Sequence, residues 1–291
     1  MNILITGASG QVGGSLVRLQ WPEHVKLYAP LRSEFDLEHN QTIESYFASH
    51  HFDCVIHCAA YTAVDRAEDE SEKAFLINAE AAHTISELTS KASIPLIFIS
   101  TDYVFDGTLT RPYQESDVTN PINVYGRSKA RGEEAARLNP HHVIVRTSWV
   151  VSSLGHNFIK TMLRLAQTQS EIGVVSDQYG APTNAHDLAQ FLQSLALAHN
   201  KMEHKWGTYH FANEGHTNWA AIAEHVFTIA RPLGLPAAHV KPIHTSDYPT
   251  RAQRPAHSLL DLELTKRTFG IEIRPWQKAV EEIVTELSAH S

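Results

Sequence analysis

The first twenty residues constrain the fold of this chain more than any other stretch. An apolar run, Asn2–Thr6, leads into a turn with glycines at positions 7, 10 and 13, and then into the amphipathic segment 15–19. This order predicts a buried strand, a tight turn and a helix. Free N–H groups and the positive end of the helix favour the pyrophosphate of a dinucleotide at such a turn. A plain strand–helix connection is the alternative.

The glycine spacing gives each glycine a separate task. Gly7 allows the tight turn, Gly10 has no Cβ to block a phosphate, and Gly13 lets the helix approach the strand. The pattern is G-x-x-G-x-x-G, which differs from the G-x-G-x-x-G of the ordinary dinucleotide fingerprint. The choice between a cofactor site and a plain turn therefore depends on residues further along the chain.

Composition excludes several classes of function. The 291 residues are 43% hydrophobic and 19% charged, which is typical of a globular protein of one large domain or two fused ones. A formal net charge of −8 argues against nucleic acid as a partner. We find no apolar run of membrane-spanning length and no signal-peptide pattern at the N-terminus. We therefore predict a cytoplasmic protein with no membrane partner.

The cysteines and histidines do not predict a metal site. Cys54 and Cys58 fall in one predicted strand, roughly 13 Å apart at about 3.3 Å per residue, which is too far for a disulfide or a shared ion. We predict that both are buried thiols. None of the 19 histidines stands in the H-E-x-x-H spacing of a zinc enzyme.

Strands and helices alternate through the first half of the chain. The runs predicted to form further strands of one parallel sheet are 25–31, 53–58, 96–99 and 142–147. The helical stretches between them are 41–49, 71–92 and a helix that begins near residue 123. This predicts an α/β fold with a Rossmann-like doubly wound parallel sheet in residues 1–150, which also receives parts of 151–206.

Strict alternation ends after residue 207. A short strand at 209–211, a helix at 219–231, a proline-rich stretch at 232–255 and a final helix at 276–287 follow. We predict that 151–291 form mainly a smaller C-terminal α/β lobe that binds the substrate.

Two stretches are placed to contact a dinucleotide. Arg32 follows the predicted second strand, where an acidic residue would bind the 2′-hydroxyl of NAD, so it favours the 2′-phosphate of NADPH. An ordinary surface arginine is the alternative. The loop Ala59–Asp65 is rich in small residues, which would let a flat cofactor come close.

Polar residues after the fourth strand and on the next helix suggest proton chemistry. Ser100–Tyr103 follow the apolar run 96–99, at the strand end where functional residues of a parallel sheet lie. Simple capping of the strand end is the alternative. Tyr125 and Lys129 are four residues apart, which places them on one helix face. A neighbouring ammonium favours ionised tyrosine, so we predict that it lowers the pKa of Tyr125 and makes it a usable proton donor.

These features together resemble the extended short-chain dehydrogenase/reductases. Within that superfamily the chain resembles the dTDP-4-dehydrorhamnose reductase family, from Met1 to about Leu287. The stretches that carry this likeness are 58–65, 100–107, 123–126, 146–149, 177–183 and 254–255. Related nucleotide-sugar dehydratases carry Thr-Asp-Glu where this chain has Thr101, Asp102 and Tyr103, so the third residue suits simple reduction.

The resemblance implies an activity and a set of site residues. The family reduces a 4-keto sugar on dTDP to dTDP-L-rhamnose with NADPH, or with NADH. The implied catalytic residues are Thr101, Tyr125 and Lys129, of which the last two also contact the cofactor. The implied cofactor-binding residues are Gly7, Gly10, Gln11, Val12, Arg32, Asp36, Leu37, Ala59, Ala60 and Tyr61. The implied substrate-binding residues are Asp102, Tyr103, Trp149 and Arg254.

The resemblance also leaves alternatives open. Some family members have glutamates in a metal bridge between subunits where this chain has Ser15 and His186, so we expect no metal and either a monomer or a homodimer. A family relative binds methionine adenosyltransferase, which makes a non-catalytic NADP-binding regulatory subunit an alternative function. A reductase of a different nucleotide-sugar is another.

Overall fold

A computed structural model describes residues 1–198 and 205–289, and its strands and helices follow the alternation of the sequence. The strands are β1 (Asn2–Thr6), β2 (Lys26–Tyr28), β3 (Cys54–His57), β4 (Leu96–Thr101), β5 (His142–Thr147), β6 (Val150–Val151), β7 (Glu171–Val175), β8 (Tyr179–Gly180), β9 (Thr183–Asn184), β10 (Gly207–His210), β11 (Thr217–Asn218) and β12 (His239–Ile243). The helices are α1 (Gln11–Arg18), α2 (Asn40–Ser49), α3 (Val64–Ala67), α4 (Ser71–Phe75), α5 (Ala81–Lys91), α6 (Val124–Ala136), α7 (Phe158–Leu165), α8 (Ala185–Leu197), α9 (Trp219–Ala230), α10 (Glu263–Phe269) and α11 (Trp276–Ser288).

Six of the strands form one parallel sheet in the order β10-β5-β4-β3-β1-β2. The chain starts in β1, continues outward to β2 and then returns to β3 on the other side of β1. The strand order reverses at this point, and a crevice at the carboxyl ends of the strands is the usual ligand site of such sheets. The prediction of a doubly wound Rossmann-like sheet is confirmed.

Side chains of the central strands are buried on both faces of this sheet. Ile3 and Ile5 of β1 belong to a core shared with α1 and α8, whereas Leu4 belongs to a second core shared with α2, α5 and α6. Successive residues of a strand point to opposite faces, so a strand covered on both faces must be apolar throughout. This is why these runs lack the alternation of a half-exposed strand.

A second lobe is formed by α7, β7, α9, β12 and α11. The strands β7 and β12 pair in parallel, and α9 packs on both them and α11. The lobe has its own core, which includes Ile172, Val174, Val226 and Val280. The strand β10 at 207–210 lies in the first sheet, beside β5, although we expected residues after 206 mainly in the second lobe. The division of the chain near residue 150 stays a prediction.

The structure differs from the sequence prediction in several elements, among them the short α3, β6, β8, β9 and β11, which were not predicted. The second strand is shorter than 25–31, the helix predicted at 71–92 contains a π-helical segment at Leu76–Glu80, and β12 and α10 were not predicted. Cys54 is buried and Cys58 only partly buried, and both are free thiols. Among the described residues, no helix has the length and apolarity needed to cross a membrane.

Candidate active site

The glycine turn after β1 has the geometry of a phosphate loop. Gly7 has a φ of +72°, and its carbonyl accepts a hydrogen bond from the Gly10 N–H at 2.9 Å. A Cβ on Gly7 would lie 2.8 Å from the backbone of Ala59, and a Cβ on Gly13 would overlap the Gly7 carbonyl. Both positions therefore require glycine, and α1 begins directly above the turn.

The first turn of α1 leaves backbone donors free for an anion. Gln11 and Val12 are its first two residues, and N–H groups in a first helical turn have no partner inside the helix. The side chain of Gln11 is already occupied. Its amide donates to the Val150 carbonyl at 3.2 Å and its oxygen accepts from Ser152 at 2.9 Å and Asn157 at 3.0 Å. Any phosphate contact of Gln11 therefore uses its backbone.

The residues expected at the adenosine end lie after β2. Arg32 is 68% exposed and forms ion pairs with Asp36, at 3.4 Å, and with Glu38. Leu37 is 8% exposed and packs in the core with Ile43. The side chain of Leu37 is therefore a core contact, so a cofactor could contact only its backbone. Arg32 is held by two carboxylates and remains accessible to a phosphate.

The loop after β3 is fixed from both sides. Ala59 donates its N–H to the Thr6 hydroxyl at 3.1 Å. The side chain of Asn78 accepts from the Tyr61 N–H at 2.8 Å and donates to the Tyr61 carbonyl at 3.0 Å. Asn78 lies in the π-helical segment, a rare geometry that is frequent at functional sites. Sequence reasoning missed Asn78, since a helical asparagine carries no recognisable signal.

The end of β4 places a buried carboxyl group beside a hydroxyl. Thr101 donates to Asp102 Oδ1 at 3.1 Å, and its oxygen accepts from the Tyr103 N–H at 3.2 Å. Asp102 is 2% exposed, and its Oδ2 forms no hydrogen bond of ordinary geometry among the described residues. Burial raises the pKa of Asp102 to about 7, although the Ser258 side chain, which lies near its carboxyl group, lowers this pKa by less. An unsatisfied oxygen in a polar site indicates a place for a ligand group.

Tyr125 and Lys129 lie in α6 next to that strand end. Burial raises the pKa of Tyr125 to about 12, while its hydrogen bond with Thr101 lowers it by less. The Lys129 ammonium donates to the Ile99 carbonyl at 2.7 Å and lies 4.1 Å from the centre of the Phe98 ring. The prediction of a lowered tyrosine pKa is therefore wrong, because burial raises this pKa and the Lys129 ammonium is directed at the Ile99 carbonyl.

Burial also affects Lys129, which is 2% exposed, and lowers its pKa to about 8. One turn further along α6, the carboxylate of Glu133 partly opposes that shift. Glu133 is 1% exposed and accepts hydrogen bonds from Ser100 at 2.6 Å, from two nitrogens of Arg146 at 2.8 Å each, and from Arg137 at 3.0 Å. This buried pair of Glu133 and Arg146 joins α6 to β4 and β5.

Two glycines let α6 approach its neighbours. A Cβ on Gly126 would overlap the carbonyl oxygen of Tyr103, and a Cβ on Gly132 would overlap that of Asn78. The helix therefore touches the backbone at the end of β4 and the π-helical segment directly.

The residues expected to bind the sugar fall into two groups. Tyr103 and Tyr125 have ring centroids 6.0 Å apart at 75°, and the Arg254 guanidinium lies against the Tyr103 hydroxyl. Trp149 instead stacks on Trp219 at 3.9 Å and has a φ of +46°. Such a backbone conformation costs free energy in a bulky residue and is frequent at ligand sites.

The two positions considered for a metal bridge have local partners or lie at the surface. The Ser15 hydroxyl donates to the Gln11 carbonyl at 2.9 Å, and His186 is exposed at the start of α8. Within residues 1–198 and 205–289 there is no group of three or more His, Cys, Asp or Glu side chains placed to hold an ion.

The arrangement supports proton donation to an oxygen held beside a bound dinucleotide. At neutral pH a pKa of about 12 keeps the Tyr125 phenol protonated, which is the state a donor needs. Thr101 and Tyr125 come together at the carboxyl end of β4, while the glycine turn lies at the carboxyl end of β1 in the same sheet.

Known proteins match this chain over almost its whole length. The family model described as the RmlD substrate binding domain matches residues 1–289. The dTDP-4-dehydrorhamnose reductase of Sinorhizobium fredii is 40% identical over 290 residues, which cover 99% of this chain and 98% of that protein.

Two solved structures have the same architecture. The dTDP-4-dehydrorhamnose reductase of Clostridium acetobutylicum has a TM-score of 0.92 at 33% identity, with 99% of both chains covered. The enzyme of Bacillus anthracis, solved in complex with NADP, has a TM-score of 0.91 at 34% identity, with 98% of this chain and 99% of that chain covered. The chain therefore belongs to the dTDP-4-dehydrorhamnose reductase family.

Proposed function

We propose that this chain reduces the 4-keto group of a dTDP-6-deoxy-hexulose to give dTDP-L-rhamnose, a precursor of cell-surface polysaccharide, with NADPH as the preferred reductant and NADH as a possible one. The observation that carries the proposal is the meeting of Thr101 and the protonated Tyr125 at the end of β4, with Lys129 one turn along α6. Family membership supports the same reaction.

The residues around the glycine turn fit a dinucleotide. The turn has no side chain at Gly10 to meet a phosphate, and the N–H groups of Gln11 and Val12 stand at the positive end of α1. Arg32 is accessible for a 2′-phosphate, and Asn78 fixes the backbone of the loop 59–61 on which the middle of the cofactor would lie. When bound, NADPH supplies the hydride.

Each residue at the end of β4 has a task in the proton transfer. Tyr125 donates its phenolic proton to the oxygen of the 4-keto group, and Thr101 donates a hydrogen bond to the same oxygen and orients it. Lys129 holds the nicotinamide ribose through its ammonium and favours the tyrosinate that forms. Positioned acid catalysis of this kind contributes about 10²–10⁴-fold to a rate.

The substrate would lie between this strand end and the second lobe. Asp102 has an unsatisfied buried oxygen that can meet a sugar hydroxyl, while Tyr103, Trp149 and Arg254 supply rings and a guanidinium for the rest of the nucleotide-sugar. Cytoplasmic location, a monomer or homodimer, and the absence of a metal are parts of this proposal.

The test is an assay of NADPH oxidation with dTDP-6-deoxy-L-lyxo-4-hexulose, with identification of the product. We expect turnover and dTDP-L-rhamnose. The same assay with the corresponding UDP- and GDP-sugars distinguishes a reductase of another nucleotide-sugar. Tight binding of NADPH without turnover of any 4-keto sugar would instead support a regulatory subunit and contradict the proposal.

The variant Lys129→Met extends this test, because the proposal gives that residue two tasks. We expect both a weaker affinity for NADPH, measured by fluorescence titration, and a lower kcat. If only one of the two quantities changes, the double role assigned to Lys129 is wrong.

A further inference from the structure

A segment of the second half of the chain, residues 249–257, crosses to the start of the catalytic helix α6, and we call it the strap. Ala252 in the strap is fully buried, and its N–H donates to Asp65 Oδ1 at 3.1 Å. The Gln253 carbonyl accepts from the side chain of Asn123 at 2.8 Å. Asn123 is the N-cap of α6, two residues before Tyr125. The strap is therefore attached both to α3 and to the N-cap of α6.

The strongest attachment is an ion pair between Arg254 and Asp65. Two terminal nitrogens of Arg254 donate to the two carboxylate oxygens of Asp65 at 2.6 and 2.7 Å. Such a two-pronged contact fixes both position and orientation of the guanidinium. The Arg254 side chain is 17% exposed and that of Asp65 is 44% exposed. Asp65 lies at the start of α3, four residues after Tyr61, at the end of the loop that faces the cofactor.

A second pair on the strap provides a comparison. Arg251 forms an ion pair with Asp69, but both side chains are more than half exposed, at 67% and 51%. Exposed ion pairs contribute little, because water screens them and both side chains lose freedom. The Asp65 contact, rather than the Asp69 contact, is therefore expected to hold the strap.

The Asp65–Arg254 pair connects to the proton donor through one further residue. The guanidinium of Arg254 lies against the Tyr103 hydroxyl, and the Tyr103 ring meets Tyr125 edge to face. Asp65 itself has its oxygens occupied by Arg254 and the Ala252 N–H. It has no role in the proton transfer described above, so its influence on the reaction passes through Arg254.

We propose that Asp65 is a positioning residue, whose carboxylate holds Arg254 and the strap against the sugar pocket at Tyr103 and Tyr125. The kinetic part of this inference rests on the proposed function. The structural part, which is that Asp65 keeps the strap closed, does not.

The structural part is tested by limited trypsin digestion of the full chain. The strap contains one bond that trypsin can cut, Arg251–Ala252, because Arg254 precedes a proline. Cleavage of a closed segment follows the population of its open form. Because Asp65 is 44% exposed, water offsets part of the loss of its charged hydrogen bonds. We expect Asp65→Asn to accelerate this cut by about three- to tenfold, and Asp69→Asn to have a much smaller effect. Equal rates in Asp65→Asn and the unchanged protein would overturn the proposal.

The kinetic part is tested with the same variants and the 4-keto sugar. We expect Asp65→Asn to raise KM for the sugar about tenfold and to leave KM for NADPH nearly unchanged, while Asp65→Glu recovers part of the loss. In an Arg254→Met background, Asp65→Asn should add almost nothing, since the two residues act as a unit. If the effects of the two substitutions on KM for the sugar multiply in the double variant, Asp65 acts independently of Arg254 and the positioning role is wrong.

The two proposals fail in different ways. If the unchanged protein does not turn over any 4-keto sugar, the proposed function is wrong, and the trypsin comparison alone decides the role of Asp65. If turnover is present but Asp65→Asn changes neither the trypsin rate nor KM for the sugar, the proposed function stands and the role of Asp65 is wrong.

Discussion

Replacing Glu133 with leucine should destabilise the protein strongly, because this would leave the charge of Arg146 buried without a partner. Glu133 and Arg146 are 1% and 2% exposed and share two hydrogen bonds of 2.8 Å. Removing one partner of a buried pair typically costs about 3–5 kcal/mol. For a protein of this size we expect the melting temperature to fall by roughly 5–15 °C.

The contribution of the pair is measured by urea unfolding of Glu133→Leu, Arg146→Met and the double variant. The double variant leaves no unpaired charge of this pair in the interior, so we expect it to recover at least half of the larger single loss. The matched control is Glu134→Leu, one residue along α6. Its partner is Arg131, and both side chains are well exposed, so its unfolding free energy should stay close to that of the unchanged protein.

Two results would refute this reasoning. One is a loss below about 1 kcal/mol in Glu133→Leu, which would mean that water reaches Arg146 or that its other contacts compensate. The other is a double variant less stable than either single one, which would mean that the packing of the two side chains matters more than their charges.

Three further predictions concern the cofactor, the proton donor and pH. Tyr125→Phe should lower kcat by about 10²–10⁴-fold with unchanged NADPH binding, whereas the matched control Tyr103→Phe should lower it far less; activity within a few-fold of the original contradicts the assignment. Arg32→Ala should reduce the ratio of kcat/KM for NADPH over NADH by about tenfold or more, and an unchanged ratio would mean that Arg32 does not meet the 2′-phosphate. Burial lowers the pKa of His57 to about 3, whereas its pKa in the unfolded chain is about 6.5. Between these two pH values the imidazole is protonated only in the unfolded state. Stability should therefore fall as pH decreases through this window, by up to about 1.4 kcal/mol per unit for this residue, and a pH slope of unfolding that is identical in His57→Gln would contradict the buried neutral state.

The sheet could be predicted from the sequence because its strands are buried on both faces. The run 96–99 is apolar throughout and the run 142–147 has the apolar centre Val143–Val145; both lie between helical stretches and form central strands. The second strand was predicted too long because Pro30 and the residues beside it resemble a strand in hydrophobicity, whereas only Asn2–Leu4 of β1 pair with it. Apolar content does not reveal where a partner strand ends.

Other elements depend on contacts that no local pattern shows. The strand β12 lies in the proline-rich stretch and contains Pro242. Within the part of the chain that the structure describes it pairs with β7 alone, and an edge strand tolerates a missing N–H. The short helix α10 has only seven residues and ends at Gly270 with a φ of +64°. The π-helical segment that places Asn78 has no sequence signature.

For the candidate site, the sequence predicted the types of residue but not the contacts that surround them. The i, i+4 spacing correctly placed Tyr125 and Lys129 in one helix. It could not show that the ammonium points to Ile99, nor that burial of the phenol raises the pKa of Tyr125 instead of lowering it. Nor could it show that Asp65, almost 190 residues away in sequence, would bind Arg254.

The contact between Gly126 and the carbonyl of Tyr103 has a consequence for how this protein can change during evolution. Because two backbones touch there, the distance from the Thr101 strand end to the helix of Tyr125 has a lower limit set by atoms that no substitution elsewhere removes. A side chain at position 126 would therefore push α6, and with it the phenol of Tyr125, away from the end of β4.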